Sequence, residues 1–165
     1  MKVRFLALVA LVLGLASCQK DTEGFDVAVN GEVSTTVTVN LADASDTRAG
    51  SNESGLLNGA LEGNNTLRYI LQVFDETGEQ SKEKMTAYTD DETVAFDVRL
   101  VPGRDYKFVV WADVVTGEDA GDWHYNTSDL KNITFNGDWN AMDETRDAFT
   151  DVETVVYGNT PINLE

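Results

Sequence analysis

Apolar and polar residues alternate along much of the chain with a period of two, the pattern of a β-strand with one buried face. Residues 33–41 alternate in this way, with valine and threonine dominant, and residues 94–100 repeat the pattern. Residues 67–74 and 106–111 are instead apolar on nearly both faces, which indicates strands in the centre of a sheet. These four segments are the strongest strand predictions in the chain.

Turn residues separate these segments. Asn30-Gly31 lies between residues 25–29 and 33–41 and predicts a hairpin. Pro102-Gly103 ends the strand predicted over residues 94–100. Residues 42–65, in contrast, are rich in Ser, Asp, Asn and Gly and predict a polar loop or linker.

Weaker patterns complete the prediction. They favour an edge strand at 85–88, short strands at 133–135 and 152–157, a strand at 161–165 and one short helix at 140–149. Many short strands with at most one helix are typical of an all-β protein. We therefore expect a β-sandwich of about seven strands.

The N-terminus has the pattern of an export signal. Lys2 and Arg4 precede an apolar run from Phe5 to Leu15, which is too short to span a bilayer as a permanent helix. Leu15-Ala16-Ser17-Cys18 then resembles the bacterial lipobox. We expect residues 1–17 to be removed and Cys18 to carry the lipid (palmitate-type acyl chains); the alternatives for this cysteine are a free thiol or an intermolecular bridge.

Two acyl signals at Cys18 would tether the protein stably to the outer membrane. The charged residues 19–23 that follow are similar to signals that send lipoproteins to the cell surface, although an ordinary polar linker has the same composition. We therefore expect an outer membrane lipoprotein that is displayed at the cell surface.

Charge limits the possible partners. The formal net charge is −17, and loss of the two basic residues in the signal would change it to −19. Such a surface disfavours nucleic acid and anionic lipid as partners, and it also keeps exported proteins soluble.

Residues for catalysis or metal binding are sparse. The single histidine, His124, lacks the companions of a zinc site or a catalytic triad. Acidic residues are too abundant for any one pair to indicate glycoside hydrolysis. Residues 136–140 with Asp143-Glu144 cluster oxygen atoms but do not match a calcium-binding loop. We expect no enzyme activity, no catalytic residue, no metal site and no cofactor.

Three tryptophans leave a second function open. Trp111, Trp123 and Trp139, with acidic neighbours such as Asp113 and Asp122, would suit a carbohydrate platform. Core or loop-anchoring tryptophans are the alternative, and Trp111 lies in a segment that is apolar on both faces. A surface-exposed carbohydrate-binding lipoprotein is accordingly the alternative function.

Three segments together resemble the fimbrillins, lipoprotein precursors of strand-exchange (type V) pili in Bacteroidota, and above all the fimbrillin-A-like group. The likeness lies in residues 67–75, 96–113 and 146–150. The middle segment is the most specific, because a Pro-Gly turn joins two strand patterns and the second ends in Trp111-Ala112-Asp113. With the lipobox and Thr47-Arg48-Ala49-Gly50, the resemblance spans most of the chain.

The resemblance implies a transthyretin-like Greek-key sandwich that forms the N-terminal half of a two-domain fimbrial subunit. Members usually continue into a second sandwich with a donor strand, so this chain is either a truncated product or a stand-alone surface protein of the same fold. The implied partners are other fimbrial subunits, joined by donor-strand exchange, and the implied process is cell adhesion.

Arg48 is the expected site of proteolytic trimming. It is the only Lys or Arg between Lys20 and Arg68, and it lies in the longest polar stretch of the chain. An ordinary linker arginine is the alternative on the residues alone; the resemblance favours cleavage between Arg48 and Ala49. Residues 18–48 would then form a removable lipidated segment, and residues 49–165 the β-sandwich domain.

Overall fold

Nine β-strands and one short helical turn make up the described part of the chain. The computed structural model describes residues 31–41, 60–117, 121–138 and 143–164. The strands are β1 (Val33–Asn40), β2 (Asn65–Asp75), β3 (Met85–Thr89), β4 (Thr93–Leu100), β5 (Asp105–Thr116), β6 (Tyr125–Asn126), β7 (Thr134–Phe135), β8 (Ala148–Val156) and β9 (Ile162–Leu164). A 3-10 turn, Glu144–Arg146, precedes β8.

Seven of these strands form an all-β sandwich of two sheets. One sheet has three strands in the order β4-β1-β9, and the other has four in the order β3-β2-β5-β8. All neighbours are antiparallel except β1 and β9, which run parallel. Strands β6 and β7 form a separate two-stranded ribbon. The Greek-key connectivity implied by the resemblance stays a prediction.

The core lies between the two sheets. Alternate side chains of β1 and β4 face it, as their period of two requires. β2 and β5 contribute the opposite wall. The largest fully buried side chains there include Leu67, Tyr69, Leu71, Phe108, Leu100 and Tyr157.

The outer face of the four-stranded sheet is also covered. Ile70 and Phe74 of β2 and Val109 and Trp111 of β5 form a second apolar cluster with Leu130. Residue Leu130 belongs to the segment 121–138, which carries β6 and β7 and lies over this face. This cover explains why β2 and β5 are apolar on both faces.

Most of the strand predictions are confirmed. β1, β2, β4 and β5 lie where the alternation placed them, and β3 is the expected edge strand. Gly103 has φ 81°, which fits the Pro-Gly turn between β4 and β5. The first strand of the hairpin predicted at residues 25–29 lies outside the described residues.

The helix predicted over residues 140–149 needs correction. Within the described residues it is a single 3-10 turn, and Ala148 and Phe149 belong to β8. Asp143 caps the turn by accepting a hydrogen bond from the Thr145 backbone N–H. Pairing of Phe149 with Ala112 of β5 then takes the following residues into the sheet. Long-range strand pairing therefore outweighs local helix propensity here.

No helix among the described residues has the length and apolar character needed to cross a membrane.

Replacement of Phe108 by Ala tests the core. The Phe108 side chain is 0% exposed between the sheets. Its truncation should lower the free energy of unfolding by about 3 to 5 kcal/mol, a large share of a typical total of about 5 to 15 kcal/mol. Urea unfolding followed by tryptophan fluorescence measures this change. Val152→Ala is the control, because Val152 is 53% exposed on the same sheet and its loss should cost under about 1 kcal/mol. A loss below about 1 kcal/mol for Phe108→Ala would contradict the core assignment.

Candidate functional site: strand β1 and the surfaces around it

β1 is the middle strand of its sheet. All eight of its residues pair with β4, from Val33 opposite Leu100 to Asn40 opposite Thr93. On its other side, residues 37–39 pair with β9. Removing β1 would therefore leave unpaired backbone groups on both β4 and β9.

The inward side chains of β1 close the core. Val37 is 0% exposed and Val39 is 3% exposed, and Leu41 just beyond the strand is 5% exposed. All three pack in the main core cluster. The Leu41 backbone N–H also donates to the Glu92 carbonyl at 2.8 Å, which fixes the end of the strand. β1 thus supplies both sheet pairing and core packing.

A small apolar cleft lies at the Leu41 end of β1. It has a volume of about 50 Å³ and opens between the two sheets. Its apolar lining comes from Val39, Leu41, Val110, Phe149 and Leu164. The cleft therefore adjoins strands β1, β5, β8 and β9, on the side of the sandwich where β8 and β9 are the edge strands.

An ion cluster lies on the outer face of the four-stranded sheet, with Arg68 and Asp113 buried and Asp122 partly exposed to solvent. Arg68 of β2 binds Asp113 of β5 through two parallel hydrogen bonds, Nε–Oδ1 at 2.8 Å and Nη2–Oδ2 at 2.6 Å. Its third contact is Nη1 to Oδ1 of Asp122 at 2.9 Å. Asp122 in turn accepts hydrogen bonds from the backbone N–H and the hydroxyl of Thr127. The cluster fastens the segment 121–138 to the sheet.

Burial and pairing act against each other in this cluster. Burial lowers the pKa of Arg68, but the hydrogen bonds and charges of Asp113 and Asp122 outweigh it and raise the pKa overall. Burial raises the pKa of Asp113, although Arg68 opposes this shift. Removing one partner of such a buried pair typically costs about 3–5 kcal/mol, because the other charge stays buried. The cluster has a structural role, because its polar atoms form hydrogen bonds with one another and with Thr127.

His124 is buried beside this cluster. Its Nε2 lies 2.9 Å from the hydroxyl of Thr145, and its ring stacks on Trp123 with centroids 3.9 Å apart. Burial and the charge of Arg146 lower the pKa of His124, while the carboxylates of Asp143 and Asp113 raise it by less. The lowered pKa favours the neutral form of the ring. The contact with Thr145 joins the segment 121–138 to the 3-10 turn before β8.

The residues singled out from the sequence are distributed unevenly. Cys18, Arg48 and Ala49 lie outside the described residues, as does Trp139. Trp111 is 8% exposed in the outer cluster, whereas Trp123 is 38% exposed. Asp113 and Asp122, considered as neighbours of a sugar platform, instead bind Arg68.

Sequence reasoning missed the ion cluster. Its signal is present, since Arg68 is the only charged residue within 66–74 and Asp113 the only one within 108–115, two runs that are otherwise mostly apolar. Antiparallel pairing places Arg68 directly opposite Asp113. Within the described ranges, no group of three or more His, Cys, Asp or Glu side chains is placed to hold a metal ion.

One family model matches the chain, a family of unknown function (DUF6562), over residues 26–165. The chain belongs to the DUF6562 family. The match begins before β1, so this family pattern includes β1 together with both sheets. No curated protein and no solved structure matches the chain.

His124 should give the stability of this DUF6562 domain a measurable pH dependence. The folded-state pKa is lowered, so the unfolded state takes up a proton first as pH falls through the unperturbed value of about 6.5. The stability contributed by the neutral ring is present above that pH and is lost below it. Urea unfolding at pH 7.5 and 5.5 should show a smaller decrease for His124→Gln than for the unaltered chain. Repulsion among the many carboxylates changes in both proteins and cancels in the comparison. Equal decreases in the free energy of unfolding of the two proteins would contradict a lowered pKa of His124 in the folded state.

Proposed function

We propose that this chain is a structural subunit or accessory component of cell-surface fimbriae that assembles by strand exchange after proteolytic trimming. In this proposal Cys18 anchors the precursor to the outer membrane, a protease cuts after Arg48, and β1 leaves with the lipidated segment. A strand from another subunit then takes the place of β1. The lipobox supports the lipid anchor at Cys18. The fimbrillin-like segments support assembly by strand exchange.

The single observation that carries the proposal is the position of β1. It is the middle strand of its sheet, yet it precedes Arg48, whereas every other strand of the sandwich follows Arg48. One cut in the chain between β1 and β2 would therefore separate a core strand from the rest of the sandwich. A gap flanked by two strand edges is an acceptor for an added strand.

Burial of β1 makes strand exchange slow but specific. Fully burying an aliphatic side chain contributes roughly 1.5–3 kcal/mol, and Val37, Val39 and Leu41 are all buried. We therefore expect β1 to stay bound after the cut until a competing strand displaces it. The competitor needs aliphatic side chains where β1 has these three, and it gains main-chain hydrogen bonds to β4 and β9.

The carbohydrate-binding alternative is less well supported. A platform needs exposed rings, and of the two tryptophans within the described ranges Trp111 is buried in the outer cluster. Trp123 alone is left, stacked on His124. The strand-exchange function is therefore favoured.

Limited trypsin digestion followed by peptide exchange tests the proposed function. Arg68 is 3% exposed and therefore protected from trypsin. Because Arg48 lies in the longest polar stretch of the sequence, we expect the first cut there rather than at Arg68, at Arg99 or at the exposed Arg104. A labelled peptide copying residues 33–41 should then enter the cut protein, with mass spectrometry of the native complex reporting the replacement of β1. The reason is that the peptide restores the same pairing and packing.

Two controls make the outcome specific. A peptide with Val37→Asp places a charge in a fully buried position and should not enter. The Arg48→Gln protein should not be cut at that site and should not take up either peptide. Cleavage that spares Arg48, or equal uptake of both peptides, would contradict the proposal.

A further inference from the structure

β8 forms an exposed edge of the four-stranded sheet. Its nine residues pair with β5, and within the described ranges no strand lies on its other side. An edge strand presents backbone N–H and C=O groups along its length, which makes it a template for another strand. β8 is also the longest edge strand of the sandwich, since β3, β4 and β9 have five, eight and three residues.

Two carboxylates point towards the gap between the sheets from β8. Asp151 pairs with Val110 and Glu153 with Phe108, and both partners are core residues whose side chains face inwards. Opposite residues of an antiparallel pair share a face, so the two acidic side chains lie on the inner side of the edge. Asp151 also lines the apolar cleft beside Phe149.

The opposite face of β8 is rich in β-branched residues. Val152 is 53% exposed and Val156 is 64% exposed, and Thr150 and Thr154 share their parity. Such residues favour strand pairing. Without the carboxylates, this edge would attract a second copy of the chain.

Charge disfavours that second copy. Two β8 edges joined by a two-fold axis would pair residues of the same parity. The central registers then place Asp151 opposite itself, Glu153 opposite itself, or Asp151 of one copy opposite Glu153 of the other. Like charges directly opposite one another destabilise a strand pair. The same two positions would be complementary to Lys or Arg.

We propose that the β8 edge is a docking site for an extended basic segment of a different protein, which adds as a fifth strand to this sheet. Basic side chains lie opposite Asp151 and Glu153, aliphatic side chains lie opposite Phe149 and Val155, and a β-branched residue lies opposite Val152. This site is independent of the exchange of β1, because it belongs to the other sheet and requires no cleavage.

A peptide of nine residues, matched to the length of β8, tests the proposal. The sequence Thr-Val-Thr-Lys-Val-Lys-Thr-Val-Thr offers the required pattern in either strand direction. It should bind the intact Arg48→Gln chain, in which β1 stays in place, and slow hydrogen exchange of amides in β8. A peptide with Glu at both Lys positions should not bind.

Charge reversal on the protein distinguishes recognition at β8 from general attraction to an acidic chain. Asp151→Lys with Glu153→Lys should weaken binding of the Lys peptide by about tenfold or more and should make the Glu peptide bind. Glu83→Lys with Asp90→Lys is the matched control, since both residues are exposed and flank β3 at the opposite edge of the same sheet. It makes the same change in net charge and should alter binding of the Lys peptide far less.

The neutral variant Asp151→Asn with Glu153→Gln keeps the test decisive if the reversed variant folds poorly. It should lose the Lys peptide without gaining the Glu peptide. No binding of the Lys peptide to the intact chain would overturn the proposal. Equal weakening by the β3 control, or protection from hydrogen exchange outside β8, would overturn it as well. Since every arm uses uncleaved protein, failure here leaves the exchange of β1 unaffected.

Discussion

The sandwich depends on one constraint: the middle strand of its smaller sheet comes from the beginning of the described chain. β1 must lie between β4 and β9, because Val37, Val39 and Leu41 fill the core beneath them. Every strand of the larger sheet follows a long polar stretch that separates β2 from β1. The middle strand of the smaller sheet is thus connected to the rest of the sandwich by the longest polar stretch of the sequence, which contains Arg48. The proposed strand exchange follows from this arrangement.

The larger sheet is stabilised differently. Its outer face is covered by the segment 121–138, and the Arg68–Asp113–Asp122 cluster fastens that segment in place. Buried charges are tolerated there because each one has a hydrogen-bonded partner of opposite sign. β2 and β5 form the wall of the core against which β1 packs. Within the described ranges β8 is the long exposed edge of this sheet, and in our proposal its carboxylates Asp151 and Glu153 disfavour pairing with a second copy.

Local pattern was enough to predict the strands but not the contacts among them. The alternation in β1 and β4 identifies one buried face, and the doubly apolar β2 and β5 are correctly placed in the centre of a sheet. Nothing in the residues before β8 distinguishes a helix from a turn followed by a strand, because pairing of Phe149 with Ala112 decides the outcome at long range. The ion cluster was missed for the same reason, since Arg68 and Asp113 meet only once the register of β2 and β5 is known. The position of β1 between two strands distant in sequence was likewise beyond local reasoning.

Trimming and strand exchange are tested most directly by the state of the chain in the cells that produce it. Protein extracted from these cells without boiling can be separated by gel electrophoresis and its N-terminus determined by mass spectrometry. Strand exchange after trimming predicts SDS-resistant multimers whose chains begin at Ala49 and lack β1. Monomers that begin at lipidated Cys18 and retain β1 would contradict it.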